Sequence, residues 1–224
     1  MITVHHLNNS RSQRILWLLE ELGVPYEVKR YQRNPQTMLA PTELLRVHPL
    51  GKSPVVTDGA RTLAETGAIV EYLLDRYGDR LLRPDVGTPD RDAFIFWLHF
   101  AEGSAMPPLV MKLVFDRIPG RVPFFIRPIA NAIARAVGQQ FLDPTLERQM
   151  RFMDTALASS GWFAGTRFSA ADIMMSFPVE SAAVFGVLDR YMNLEGWLKT
   201  VHERPAYQAA LERGGAYALA GAAL

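Results

Sequence analysis

Every strand signal in this chain falls before residue 65, and beyond residue 89 the apolar residues recur at helical spacing. Residues that alternate with period 2 build a sheet, and residues that repeat every 3.6 build helices that must bury one stripe against each other. A chain ordered in this way therefore folds as an α/β unit followed by an all-α unit. Its 224 residues, 49% of them hydrophobic, are enough for two modest cores.

Ile2, Thr3, Val4 and His5 alternate apolar and polar as a short strand does. Asn8, Asn9 and Ser10 are capping residue types placed before Ile15, Leu18, Leu19 and Leu22, which share one helical face, and Gly23 supplies a stop. A second strand over Val24, Tyr26 and Val28, reached through that helix, makes a parallel βαβ unit with a right-handed crossover. After a polar stretch holding Pro35, Pro41 and Pro49, residues 54–57 and 61–63 flank Asp58-Gly59 as a hairpin. Glu65 and Thr66 then open a helix that Gly78 ends. The order is βαβ, irregular segment, ββα.

Residues 82–88 mix proline, glycine and charge without apolar periodicity, the pattern of a linker, which divides the chain into domains at 1–81 and 89–224. Residues 90–115 suit one long helix, except that Pro107-Pro108 must break or kink it. Further helices are expected between Pro128 and Phe141, and from an Asp143-Pro144 start to Leu157 with Leu146, Met150, Met153 and Leu157 inward. Three more fall near 170–184, 194–203 and 205–213, and the Gly/Ala-rich tail from Gly214 is expected to be mobile.

Composition removes whole classes of function. Twenty-four lysines and arginines against 23 acidic residues leave no basic stripe for nucleic acid. The absence of cysteine removes disulfides, thiolate-held metals and a protein thiol nucleophile, and no metal site is expected. The start of the chain lacks the pattern of a secretory signal and no apolar run spans a bilayer, so the expectation is a cytoplasmic protein.

The string from His48 to Val56, followed by Leu63-Ala64-Glu65-Thr66-Gly67-Ala68-Ile69, resembles the glutathione site of the cytosolic glutathione transferases. Ser10-Arg11-Ser12-Gln13-Arg14, and Glu102-Gly103-Ser104 before Pro107-Pro108, further resemble the fungal membrane-associated subgroup and its bacterial relatives, which are theta-like and serine-type. The resemblance extends over nearly the whole chain. It implies a thioredoxin-like N-terminal domain holding glutathione as co-substrate, and a helical domain supplying most of the pocket for a small electrophile. It also implies a homodimer.

Each motif has a physical reading beside the implied one. A proline at a strand start is by itself ordinary punctuation. If Ser53-Pro54 is cis, as the resemblance implies, Ser53 is left free to pair with an extended peptide. Glu65 and Thr66 would serve any helix start as dipole and cap partners; the resemblance makes the free amides and the Thr66 hydroxyl a seat for the γ-glutamyl carboxylate. Lys52 and His48 are carried over as partners of the glycyl carboxylate, although His48 stands where asparagine or glutamine is frequent in the family. Ser169-Ala170-Ala171-Asp172 resembles the family's capping box, with Ser169 accepting from the amide three residues on and Asp172 reaching back to the Ser169 amide.

Ionising half of a bound thiol at pH 7 needs only about 2 kcal/mol. A hydroxyl hydrogen bond to a charged group is worth about 1.5 to 3 kcal/mol, so one hydroxyl at a helix start suffices. Ser10 is the catalytic candidate, donating to the sulfur, with Ser12 and Asn9 next; from position alone it is equally a cap. Arg14 is either a source of positive potential or an exposed helix arginine. Trp97, Phe100, Met106, Met111 and Phe115 are acceptor-pocket candidates that core packing explains as well. The implied chemistry is conjugation, with glutathione-dependent peroxide reduction as a side activity; the alternative is a carrier or regulatory protein that has lost turnover.

Overall fold

The computed structural model describes residues 1–78, 82–215 and 217–219. Strand β1 (Ile2–Leu7) leads through α1 (Gln13–Leu22) to β2 (Tyr26–Tyr31), and a short helix α2 (Glu43–Val47) lies in the polar stretch where the sequence shows no period. The hairpin β3 (Val55–Asp58) and β4 (Arg61–Ala64) follows, then α3 (Thr66–Tyr77). The sheet order is β2-β1-β3-β4, with β1 parallel to β2 and the other neighbours antiparallel. Asp58 pairs with Arg61, so the turn proper is Gly59-Ala60, one residue later than the Asp58-Gly59 signal suggests. Gly59 carries the positive φ of 59° there.

Helix α1 differs from its one-faced pattern. Arg14 through Leu19 are all buried, because the helical domain covers the side of α1 that the sheet does not. That domain starts with α4 (Pro89–Phe100), where Thr88 Oγ1 accepts the Arg91 N–H at 3.2 Å. A π-helical turn over Ala101–Ala105 joins it to α5 (Met106–Arg121). The predicted break at Pro107-Pro108 takes this form, with the Met106 N–H reaching back five residues to the Ala101 carbonyl. Pro108 supplies no amide to the Ser104 carbonyl, which instead accepts Gln149 Nε2 at 2.9 Å.

Helix α6 (Arg127–Val137) continues through a second π-helical turn, Gly138–Leu142, into α7 (Asp143–Ser160). The expected cap at Asp143 is therefore absent: its backbone is already helical and its side chain makes no cap hydrogen bond. Leu146, Met150, Met153 and Leu157 do face the core. Then come α8 (Ala170–Val184), α9 (Met192–His202) and α10 (Pro205–Gly214). Among the described residues no helix is long and apolar enough to cross a membrane.

Part of the tail expected to be mobile is docked. The Tyr217 hydroxyl donates to Glu180 Oε2 at 2.5 Å and the Ala218 N–H to Asn9 Oδ1 at 2.7 Å. Residues 216 and 220–224 lie outside the described residues.

The capping box forms and does more than close a helix. Asp172 Oδ2 accepts the Ser169 N–H at 2.9 Å and the Ser169 hydroxyl at 3.2 Å, while Oδ1 accepts the Phe163 N–H at 3.0 Å and Trp197 Nε1 at 3.1 Å. Ser169 Oγ accepts the Ala171 N–H at 3.3 Å. Burial pushes the Asp172 carboxyl up to about 6 while these donors pull it down. One fully buried side chain thus ties α8, α9 and the 161–169 loop together. Asp172→Ala strands these donors, and at pH 7 the loss of stability is expected to be about 3 kcal/mol, read by urea denaturation. Glutathione affinity of the folded fraction stays intact.

Candidate active site

The loop 48–54 approaches the start of α3 across the sheet's end, and the two enclose a cleft of about 250 Å³. His48, Lys52, Ser53, Pro54, Glu65 and Thr66, all chosen from the sequence, line it. The Ser53-Pro54 bond is cis. Ser53 Oγ is pinned to β1, donating to the His5 carbonyl at 2.9 Å and accepting the Leu7 N–H at 3.3 Å. His48 is half-buried, its Nδ1 accepting the Leu50 N–H at 3.3 Å. Lys52 is exposed, and among the described residues it has no carboxylate within ion-pair distance.

Glu65 stands just before α3 with φ 70° and ψ 124°, a conformation a non-glycine residue adopts at a cost of about 1 to 3 kcal/mol. Both Glu65 and Thr66, at the start of α3, line the cleft. Thr66 is buried, yet it lines the same space.

Ser10 does not line the cleft but lies one layer behind it, with its Oγ 3.5 Å from Ser53 Oγ. It precedes α1 rather than capping it, since the helix starts at Gln13. The Ser10 and Ser12 hydroxyls share a hydrogen bond of 2.7 Å, and Ser12 Oγ pairs with His6 Nδ1 at 2.9 Å. Ser12 is fully buried. Asn9 has a positive φ of 49°, and its Oδ1 is occupied by the Ala218 amide.

Four residues that sequence reasoning left out complete the lining: Arg11, Leu50, Ala64 and Glu102. Arg11 Nε donates to both Glu102 oxygens, at 3.0 and 2.9 Å. Arg14 also pairs with Glu102, and it is 1% exposed, which overturns the exposed-arginine reading. Burial works to raise the Glu102 carboxyl, but Arg14 and Arg11 outweigh it and hold it below the usual value. The Glu102-Gly103-Ser104 string was noticed, but a pairing across roughly ninety residues leaves no local pattern to read.

This ion pair is one of the contacts that join the helical part of the chain to the N-terminal part. The description Glutathione S-transferase, N-terminal domain matches residues 1–75, and Glutathione S-transferase, C-terminal domain matches residues 121–205. The chain belongs to the glutathione S-transferase family. Glutathione S-transferase 3 of Schizosaccharomyces pombe is 37% identical over 214 residues, covering 95% of this chain and 88% of the relative. Glutathione S-transferase 1 of Saccharomyces cerevisiae is 31% identical over 223 residues, covering 95% of each. Among solved structures, a glutathione S-transferase from Actinobacillus pleuropneumoniae superposes with a TM-score of 0.80 at 32% identity, covering 99% of this chain and 96% of that one.

Among the glutathione S-transferase acceptor-pocket candidates, Trp97 and Met106 are buried in the core, and Trp97 stacks on Phe152 at 5.2 Å. Met111 is exposed and Phe115 half-buried. Core packing thus explains the first two, as periodicity allowed.

His6 sits behind the serines, against α10, where Gly214 leaves room: a Cβ on Gly214 would stand 2.7 Å from Gln13 Oε1 and 3.3 Å from His6 Cε1. Burial lowers the His6 pKa to about 4, with Arg30 adding to the effect. The unfolded chain therefore binds a proton near pH 6.5 that the folded one refuses, so this contribution is present above pH 6.5 and is lost as pH falls toward 4. Between pH 7.5 and pH 5 the wild type is expected to lose about 2 kcal/mol more than His6→Asn, measured by denaturant titration at both pH values.

Proposed function

We propose that the chain is a glutathione transferase that holds glutathione in this cleft and activates its thiol as the thiolate for attack on small, largely apolar electrophiles. Glutathione-dependent peroxide reduction is a side activity of the same thiolate. The carrying observation is that one cleft joins Lys52, which has no ion-pair partner among the described residues, to a helix start at Glu65-Thr66. Both favour anions, and glutathione carries a carboxylate near each end. Lys52 and His48 take the glycyl carboxylate, Ser53 beside Pro54 pairs with the peptide backbone, and Glu65 and Thr66 receive the γ-glutamyl end.

Ser10 is the thiol activator in this reading. Its hydroxyl lies 3.5 Å from Ser53 Oγ, whereas that of Ser12 pairs with His6 and Asn9 is held by the tail. Residues 1–81 form the glutathione-binding domain, 82–88 the linker and 89–224 the helical domain, with 79–81, 216 and 220–224 outside the described residues. The enzyme works as a homodimer in the cytoplasm, with no nucleic-acid partner. The Lys52, Pro54, Glu65 and Thr66 set favours a working glutathione site, since a purely structural relative would have little need of all four.

The test is an ultraviolet titration of the thiolate band at saturating glutathione, in wild type and Ser10→Ala. The bound thiol is expected to ionise below its free value of about 8.5 in wild type and to rise in the variant by about one to two pH units. An unchanged value in Ser10→Ala would move the role to a neighbouring donor. No binding in wild type would sink the transferase reading.

A further inference from the structure

We propose that His6 is a positioning residue for the thiol: through Ser12 it sets which way the Ser10 hydroxyl points, and so how readily bound glutathione ionises, a role that rests on the transferase reading above. Three buried polar side chains stand in line behind the cleft. Ser10 Oγ is 2.7 Å from Ser12 Oγ, and Ser12 Oγ is 2.9 Å from His6 Nδ1.

The direction of this line is fixed at its inner end. Gly214 is the last residue of α10, and the helical donor for its carbonyl would be the Ala218 N–H, which goes to Asn9 Oδ1. The Gly214 carbonyl accepts from the His6 ring instead. Because Nδ1 is turned to Ser12, the nitrogen that donates to Gly214 is Nε2. Burial, with Arg30 adding to it, lowers the ring's pKa to about 4, so at pH 7 it is neutral. A neutral imidazole carries one N–H, which leaves Nδ1 as a bare acceptor.

A hydroxyl has a single proton to donate. Ser12 gives its proton to Nδ1, since its other acceptor, the Leu7 carbonyl, is farther away at 3.5 Å. The short contact between the two serines is then bridged by the Ser10 proton, which points inward. Ser53 does not reverse this, because its own proton goes to the His5 carbonyl and it can only accept from Ser10.

Ser10 Oγ accepts the Ser12 N–H at 3.3 Å and keeps one lone pair for the ligand. With a neutral thiol every group is therefore paired: S–H to Ser10, Ser10 to Ser12, Ser12 to His6. With a thiolate, Ser10 turns its proton outward to the sulfur, and a hydrogen bond at Ser12 or at Nδ1 is lost. The ring thus moderates the activation that Ser10 supplies, by the worth of one neutral hydrogen bond.

The thiolate band at saturating glutathione, titrated in single and double variants, tests this. His6→Leu removes the inner acceptor, which frees the Ser12 proton for Ser10 and the Ser10 proton for the sulfur. The bound thiol is expected to ionise about half to one pH unit below its wild-type value. Ser12→Ala deletes a single oxygen, the competing acceptor for the Ser10 proton, and lowers the thiol pKa by a similar amount; it carries the test if His6→Leu does not fold. The two together lower it no further than either alone, and in a Ser10→Ala background neither has an effect, because the line then ends before the sulfur. Nitrogen-15 shifts of the wild-type ring at pH 7 are expected to show a protonated Nε2 and a bare Nδ1.

A thiol pKa that rises or stays constant in His6→Leu and Ser12→Ala, an effect of either that survives in Ser10→Ala, or a proton on Nδ1 would overturn the proposal. Failure of wild type to bind glutathione, or an unchanged thiol pKa in Ser10→Ala alone, would overturn the reading of the site itself, and the proposal with it.

Discussion

A buried guanidinium needs an acceptor for its charge and for its donors, and Arg14 obtains them from three separate places in the chain. A full positive charge inside the protein is tolerable only when paired, and the pairing here runs to Glu102, on the helical domain's π-helical turn. Because the other donors end on α8 and at the start of α3, the three elements share one fixed point next to the cleft. Removing the charge without its partners would leave Glu102 half-buried beside Arg11 alone, and would leave the Met174 carbonyl unsatisfied.

Two prolines, Pro108 and Pro178, do related work in the helical domain. Each removes a helical amide and frees a carbonyl, and each carbonyl is taken by a buried or half-buried side chain: Ser104 by Gln149 and Met174 by Arg14. Such a carbonyl, left unpaired inside a protein, costs about 1 to 3 kcal/mol. The prolines thus turn backbone irregularity into contacts between elements. Asp172 anchors α9 and the 161–169 loop to α8 by the same kind of saturation, with a carboxylate as the hub.

Much of this was legible because it is local. The alternation in β1, the turn at Gly59, the stops at Gly23 and Gly78, and the Ser169 to Asp172 box each declare themselves within a few residues. All seven proposed site residues were chosen from the sequence and six of them line the cleft, since His48, Lys52 to Pro54 and Glu65-Thr66 fall in short strings at fixed spacing. Arg14 was not. A guanidinium on a helix face carries no local mark of whether it meets water or a carboxylate 88 residues away. Helix α2 was missed for a similar reason, as its five residues are too few to establish a period and only Leu44 is buried.

Taken alone, the sequence determined the order of elements apart from α2, the mixed sheet, the helical second half and the cluster of anion-seeking residues, because period, caps and turn chemistry act over a few residues. The tertiary structure decided which faces are covered and which polar groups meet. It buried both sides of α1, continued the helix through Asp143, set Ser10 behind Ser53 instead of in the cleft, and closed Arg14 on Glu102. Those outcomes depend on contacts between distant segments, where desolvation makes an unpaired charge or carbonyl costly and so selects the partners that packing brings within reach.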